Sequence, residues 1–166
     1  DIRLAIQHNA NNAEHRFNKS LIFAGMNKRD SQEVALDECL ALDARHAECN
    51  YYKGLLAFER KAYDKAITYY NVAIDSRPAY AFALNDRGSA RRSKENISGA
   101  IADYEAAVRA DSTQPFIYNN LGSAYRLNKE TDKAIAAYTK ALRIDPKYLV
   151  ALINRGVAYF ENDQLR

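Results

Sequence analysis

Apolar and polar positions alternate along this chain at the spacing of paired amphipathic helices. Within residues 115–148, apolar side chains recur three and four positions apart at Tyr118, Leu121 and Tyr125, and a second run follows the same spacing through residues 134–142. Such spacing places apolar side chains on one face of a helix. A short polar stretch separates the two runs. The pattern therefore predicts two antiparallel helices joined by a turn.

The same pattern returns every 34 residues. Small residues and large apolar residues each recur in register, in columns that read Gly54, Gly88, Gly122 and Gly156; Ala66, Ala100 and Ala134; and Tyr70, Tyr104 and Tyr138. A fixed period of this length is typical of a repeat protein. The small residues let paired helices approach closely, and the large residues fill the space on either side.

The register predicts the organisation of the chain as one continuous domain. Complete repeats are expected at residues 13–46, 47–80, 81–114 and 115–148, the first of them degenerate because Ser20, Gln32 and Cys39 replace Gly or Ala. Residues 1–12 fit the tail of a preceding second helix. Residues 149–166 fit the first helix of a fifth repeat, acting as a C-terminal cap. Since that helix carries interior-type residues, we expect a segment of a longer array, with self-association through its uncovered ends.

The period and the motif at residues 121–125, Leu-Gly-x-x-Tyr, resemble the tetratricopeptide repeat (TPR). The resemblance covers essentially the whole chain. It implies an all-α fold, a right-handed superhelical α-solenoid of antiparallel helix pairs in which the first helices line a concave groove. Arg91 departs from the family, because it stands where Tyr125 and Tyr159 stand. We expect its side chain either to extend to solvent or to pair with a carboxylate.

Composition argues against several function classes. A net charge of +3 and the absence of a long basic run argue against nucleic acid. No apolar stretch approaches the roughly 20 residues that a membrane-spanning helix needs. The chain shows neither a Ser/His/Asp nor a Cys/His catalytic arrangement, and no glycine-rich phosphate loop. We therefore expect no enzyme, no cofactor and no membrane insertion, and nothing in the sequence indicates the compartment.

Cys39 and Cys49 are the two cysteines of the chain. Ten residues apart, without a CxxC motif or clustered histidines, they do not indicate a zinc site. Ordinary small packing residues are the favoured interpretation. A disulfide is the alternative, since Cys39 falls near the end of one predicted helix and Cys49 near the start of the next.

The TPR resemblance implies a function and a site. The function is that of a non-catalytic protein–protein interaction scaffold, binding an extended peptide or partner segment in its concave groove. Two alternatives are an oligomerisation or assembly module and the recognition domain of a larger protein. The residues expected to face the groove are Tyr51, Tyr52, Phe82, Asn85, Arg92, Phe116, Asn119, Asn120, Arg126 and Asn154.

Asparagines carry the most specific part of this prediction. Asn120 and Asn154 resemble the asparagine ladder of TPR superhelices that hold extended peptides. An amide side chain both donates and accepts hydrogen bonds, so it can pair with a peptide backbone of any sequence. Tyr52 and Asp86 interrupt the ladder. The alternative interpretation is that the asparagines are simply solvated.

Charged and aromatic residues suggest the chemistry of the partner. Arg92 and Arg126 suggest an acidic or phosphorylated ligand, because a guanidinium binds carboxylate or phosphate with two hydrogen bonds. Two solvated arginines are the alternative. Phe82 and Phe116 are expected either to pocket apolar side chains of a ligand or to pack on the preceding repeat.

A receptor for chaperone C-terminal tails is not expected. TPR proteins of that type hold the terminal carboxylate with two lysines, an arginine and two asparagines. The residues that align best with this clamp contain none of the basic members; they are Asn85, Ser89, Asn120, Val150 and Asn154.

Overall fold

The computed structural model describes residues 12–164, which form nine α-helices and no strand. The helices are α1 (Ala13–Gly25), α2 (Arg29–Leu42), α3 (Ala47–Glu59), α4 (Tyr63–Ser76), α5 (Ala81–Ser93), α6 (Ile97–Ala110), α7 (Pro115–Leu127), α8 (Thr131–Ile144) and α9 (Leu149–Gln164). The helix tail expected at residues 1–12 falls, apart from Asn12, outside the described residues. No described helix is both long and apolar enough to cross a membrane.

The chain divides into two compact units between Pro78 and Ala79. Unit 1 contains helices α1–α4, and unit 2 contains α5–α9. In each unit the two helices of a pair pack against each other: α1 on α2 and α3 on α4 in unit 1, α5 on α6 and α7 on α8 in unit 2. In unit 2, α9 packs on α8, and the first helices α5, α7 and α9 also contact one another in sequence.

Glycine and tyrosine meet where the two helices of a pair approach. A Cβ atom added at Gly88 would lie 2.9 Å from Cε1 of Tyr104, and one added at Gly122 would lie 2.7 Å from Cε1 of Tyr138. Both tyrosines are fully buried, so the rings cannot move into solvent. This close approach confirms the packing role predicted for the glycine column.

In each of the four helix pairs, the second residue after the first helix has left-handed backbone geometry. These residues are not glycine, and they again lie 34 positions apart: Asn27, Lys61, Glu95 and Lys129, with φ of 55°, 60°, 62° and 63°. The left-handed turn lets the following amide groups bond back to the helix, as in the hydrogen bond of 3.0 Å from the backbone N–H of Asn96 to the carbonyl of Arg91. The turn then leads directly into the second helix.

Arg91 pairs with a buried carboxylate, which is one of the two outcomes expected for it. Its Nη1 lies 2.9 Å from Oδ2 of Asp103, and Nη2 of Arg87 lies 2.6 Å from Oδ1 of the same residue. Asp103 is only 3% exposed. Two guanidinium groups thus compensate one buried negative charge and fasten α5 to α6.

Cys39 and Cys49 form a disulfide, so the favoured expectation of two free packing residues was wrong. Cys39 lies near the end of α2 and Cys49 near the start of α3. The turn between the two helices is short, and it brings the Cα atoms to 6.6 Å, within the range that a disulfide spans. Both residues are fully buried in the core of unit 1.

Candidate functional site

Unit 2 carries most of the predicted site residues on its first helices. We call this surface the first-helix face. Its members come from α5, α7 and α9, which contact one another in that order; they are Phe82, Asn85, Arg92, Phe116, Asn119, Asn120, Arg126 and Asn154.

The asparagines of the first-helix face form two pairs between neighbouring first helices. Nδ2 of Asn120 donates to Oδ1 of Asn85 at 2.9 Å, and Nδ2 of Asn154 donates to Oδ1 of Asn119 at 2.9 Å. Asn85 and Asn119 are buried, with 4% and 6% exposure. Their role at this face is therefore to orient the half-buried partner, and they do not themselves reach outward.

Asn120 and Asn154 keep hydrogen-bonding capacity after this pairing. Within residues 12–164, nothing donates to Oδ1 of either side chain, and each NH2 group uses one of its two hydrogens. Each amide is thus held in place by a buried partner and still offers one donor and one acceptor. The two groups come from successive repeats.

Phe82 and Phe116 stack on each other. Their ring centroids lie 5.9 Å apart with an interplanar angle of 17°. Phe116 therefore packs on the preceding first helix, which is one of the two arrangements expected. Phe82 remains 43% exposed, so an apolar surface is open at the start of α5.

The two arginines of the face have different surroundings. Nη1 of Arg126 lies 2.8 Å from Oε1 of Glu161 on α9, so its charge is already compensated. Arg92 is half-buried and forms no ion pair with any residue that the structure describes. Arg92 is the cation of this face that is available to a ligand.

Buried tyrosine hydroxyl groups support the floor of the face. Ser89 Oγ lies 3.0 Å from the hydroxyl of Tyr104, and the hydroxyl of Tyr138 donates to Ser123 Oγ at 3.2 Å. Burial raises the pKa of Tyr104, partly offset by the hydrogen bond with Ser89. In both helix pairs of unit 2, the tyrosine buried between the two helices thus also positions a serine on the first helix, which carries the paired asparagines.

Tyr51 and Tyr52 belong to unit 1, where they form an aromatic cluster. Their rings make an edge contact with centroids 5.4 Å apart. Tyr52 also contacts Phe17 at 5.5 Å, and Tyr51 contacts Tyr70 at 6.1 Å. Both tyrosines are half-buried, so each presents part of its ring at the surface of α3.

A charge cluster in unit 1 was not anticipated from the sequence. Lys53 is 5% exposed, and its Nζ lies 2.7 Å from Oδ1 of Asp37 and 3.1 Å from Oε1 of Glu33. Arg60 binds both carboxylate oxygens of Glu33. The hydrogen bonds from Arg60, opposed by burial and helped by Lys53, lower the pKa of Glu33 to about 2.

A small cavity of about 100 Å³ adjoins this cluster, lined by Glu33, Lys53, Ala57, Arg60, Ala62, Lys65 and Tyr69. Most of its charges already compensate one another. The cluster therefore fastens α3 to α2 and offers little to a ligand.

His46 brings a third group to the disulfide of unit 1. One ligand atom each from Cys39, His46 and Cys49 lie within 4.8 Å of one another. Sequence spacing did not suggest this grouping. His46 lies in the turn between α2 and α3, and it comes close to Cys39 only when the chain is folded. The available signal was a histidine three residues before a cysteine at a predicted helix start.

The sequence of the chain also matches known families of repeat proteins. The family described as "Tetratricopeptide repeat" matches residues 27–81 and residues 115–148, and the one described as "TPR repeat" matches residues 88–129. The chain is a tetratricopeptide repeat protein. No curated protein matches its sequence.

Solved structures confirm the all-α helical-repeat solenoid fold of this TPR protein. Residues 41 to the end of MamA from Desulfovibrio magneticus RS-1 are 22% identical, with a TM-score of 0.81 over 91% of this chain and 85% of that one. YrrB, described as a TPR protein with an unusual peptide-binding site, is 19% identical, with a TM-score of 0.81 over 97% of this chain and 83% of that one.

A third similar structure is the first TPR of Spaghetti (RPAP3) bound to the HSP90 peptide SRMEEVD. It is 22% identical, with a TM-score of 0.70 over 73% of this chain and 96% of that one. At such identities the likeness establishes the fold. Membership of the TPR family, which is generally non-enzymatic, supports a role as a protein-interaction scaffold.

Proposed function

We propose that this TPR protein binds an extended peptide or partner segment on the first-helix face of unit 2. The observation that carries the proposal is the pairing of Asn120 with Asn85 and of Asn154 with Asn119. Each pair holds an amide group in a fixed orientation with one donor and one acceptor unused. The amide groups of a peptide backbone require that combination.

Preorganisation makes the asparagine pairs suitable for binding. A ligand that meets an already oriented side chain avoids most of the entropy cost of ordering it. One such hydrogen bond contributes only about 0.5–1.5 kcal/mol, so binding needs both asparagines and further contacts. The half-exposed ring of Phe82, three residues before Asn85 on the same helix, offers an apolar contact.

Arg92 indicates the charge of the ligand. It has no ion-pair partner among the described residues, whereas Arg126 is compensated by Glu161. We therefore propose a peptide with an acidic group that reaches Arg92. A hydrogen bond to a charged group contributes about 1.5–3 kcal/mol, more than either asparagine.

The test selects peptides from a random phage-displayed library on the full chain and measures their affinity by fluorescence anisotropy. We expect acidic peptides. Arg92→Gln should weaken binding about 10-fold or more, and Asn120→Ala/Asn154→Ala about 5- to 100-fold. Matched controls are Arg109→Gln, an exposed arginine on α6, and Asn128→Ala, an exposed asparagine after α7.

Circular dichroism of every variant shows whether the helices are retained. The proposal is wrong if folded Asn120→Ala/Asn154→Ala binds the selected peptides as tightly as the unaltered chain. If Arg92→Gln alone leaves affinity unchanged, peptide binding stands and the acidic preference does not.

The apolar surface of α9 supports an assembly module as a second candidate function. Seven of its apolar residues are exposed, with Phe160 at 65% and Leu149 at 64%. Several large exposed apolar side chains on one helix favour a site of protein contact.

A further inference from the structure

Three side chains of unit 1 with metal-binding chemistry lie together at the junction of α2 and α3. One ligand atom each from Cys39, His46 and Cys49 lie within 4.8 Å of one another. Both cysteines are fully buried, and the His46 side chain is 10% exposed. In the structure the two sulfurs are bonded to each other.

Two thiolates and an imidazole are ligands that Zn²⁺ prefers. Two buried thiolates alone would carry an unfavourable double negative charge. A bound Zn²⁺ compensates that charge and leaves the group neutral, which makes zinc compatible with a buried position. The set contains no hard oxygen ligand of the kind that calcium or magnesium requires.

We propose that the chain binds one Zn²⁺ through Cys39, Cys49 and His46 when the disulfide is reduced. A dithiol reductant supplies two electrons and two protons, so that the S–S bond breaks, two thiols form and the dithiol becomes a disulfide. Zn²⁺ then replaces the two thiol protons, which pass to solvent. The disulfide and the bound zinc are thus alternative cross-links between α2 and α3.

The backbone already places the cysteines suitably for zinc. With Zn–S bonds of about 2.3 Å in tetrahedral geometry, the two sulfurs lie about 3.8 Å apart. The Cα atoms of the disulfide are 6.6 Å apart. Rotation of the two side chains therefore separates the sulfurs by the required amount without moving the helices.

The surroundings of His46 match those of a zinc-binding histidine. Its Nδ1 accepts a hydrogen bond of 3.3 Å from the backbone N–H of Cys49, so this nitrogen carries a lone pair next to the cysteines. A metal bound at Nδ1 replaces that hydrogen bond. Nε2 lies 3.2 Å from Oε2 of Glu14. A carboxylate that accepts the other ring N–H orients a metal-bound imidazole and strengthens it as a ligand.

A carboxylate also lies close to Nδ1. Oε2 of Glu48 lies 3.5 Å from that atom, and the second oxygen of Glu48 is bonded to Arg77. Glu48 is not among the residues whose ligand atoms lie together, and its pairing with Arg77 keeps its charge compensated. A water molecule therefore takes the fourth position on the metal.

The experiment uses the full chain, reduced with a phosphine and then freed of reductant without oxygen. Zinc is titrated in competition with a chromophoric chelator, and Co²⁺ replaces zinc to reveal a sulfur-to-metal charge-transfer band. We expect one Zn²⁺ per reduced chain and none per oxidised chain. His46→Gln should weaken binding about tenfold or more, whereas His15→Gln, an exposed histidine on α1, should bind as the unaltered chain does.

Two results would overturn the proposal. One is that the reduced chain binds no more zinc than Cys39→Ser/Cys49→Ser, and the other is that His46→Gln binds zinc with unchanged affinity. Circular dichroism accompanies each titration. If reduction unfolds unit 1, helix recovery on adding zinc supports the proposal, because metal binding stabilises the folded state; no recovery contradicts it.

Discussion

At the scale of single residues, glycine is retained in the middle of a helix because a tyrosine ring occupies the space of its Cβ. Glycine costs about 1 kcal/mol relative to alanine in a helix interior. At Gly88 and Gly122 an alanine does not fit, because its Cβ would lie 2.9 and 2.7 Å, respectively, from the ring of the facing tyrosine. Gly156 stands in the same column with nothing within 4 Å of that position.

The same substitution should therefore have opposite effects at two glycines. Gly122→Ala should lower the free energy of unfolding by about 1–3 kcal/mol, because the buried ring of Tyr138 must shift. Gly156→Ala should raise it by up to about 1 kcal/mol through helix propensity alone. Equilibrium urea unfolding followed by circular dichroism measures both. Equal effects of the two substitutions would contradict this account of the glycine column.

The asparagine row shows how far repeat analysis predicts a site. The 34-residue register identified Asn85 and Asn119 as one column and Asn120 and Asn154 as the next. The observed hydrogen bonds join positions 35 apart, from one column to the other. A register aligns equivalent positions, but contacts between columns depend on how neighbouring first helices pack. The burial of Asn85 and Asn119 could not be predicted for that reason.

At the scale of elements, the two helices of each pair were predicted from the hydrophobic pattern, because each pair buries one apolar stripe against another. Contacts that join one pair to the next were anticipated only as alternatives, as for Phe116 and for the disulfide, or not at all. The disulfide and the Lys53 cluster both connect α2 with α3, across the turn between two pairs. Their residues are polar or unique to this repeat, so neither periodicity nor register indicates them.

Glu33 is the residue of this junction most open to a direct test. Glu33→Gln should lower the free energy of unfolding by about 1–3 kcal/mol, because buried Lys53 loses one of its two carboxylate partners. Glu59→Gln is the control. Its pair with Arg29 is half-exposed on both sides, and such pairs contribute about 0–1 kcal/mol.

The effect of Glu33→Gln should depend on pH. The folded state holds the pKa of Glu33 at about 2, below the ordinary value of 4.5. Its charge thus stabilises the fold fully above the ordinary value, and this contribution is lost as pH falls from there towards the folded value. Unfolding of both chains between pH 7 and pH 2 should show their difference shrinking over that interval. A difference independent of pH would contradict the ion-pair explanation.

At the scale of the whole molecule, α9 bears an apolar stripe that no other described element covers. The exposed residues repeat at three- and four-residue spacing along the helix; they are Leu149, Val150, Ile153, Val157 and Phe160. In the pairs α3–α4, α5–α6 and α7–α8, the first helix is instead covered by a second helix that carries a buried tyrosine. We expect a second copy of this chain to cover the stripe.

Sedimentation equilibrium should therefore show a mass that rises with concentration. Ile153→Glu/Phe160→Glu should abolish the rise, because two buried carboxylates in the contact have no compensating charge. Ala102→Glu/Ser112→Glu adds the same charge at exposed positions of unit 2 and should associate as before. A monomeric mass for the unaltered chain at every concentration would rule out this contact.

The disulfide also has a consequence for the chain under tension. Because Cys39 and Cys49 are joined, residues 40–48 form a closed loop that carries no load when the two ends of the protein are pulled apart. An extended chain spans about 3.4 Å per residue. A fully stretched oxidised molecule is thus about 30 Å shorter than the reduced one. The redox state of a single bond therefore changes the length at which the backbone of this protein becomes fully extended.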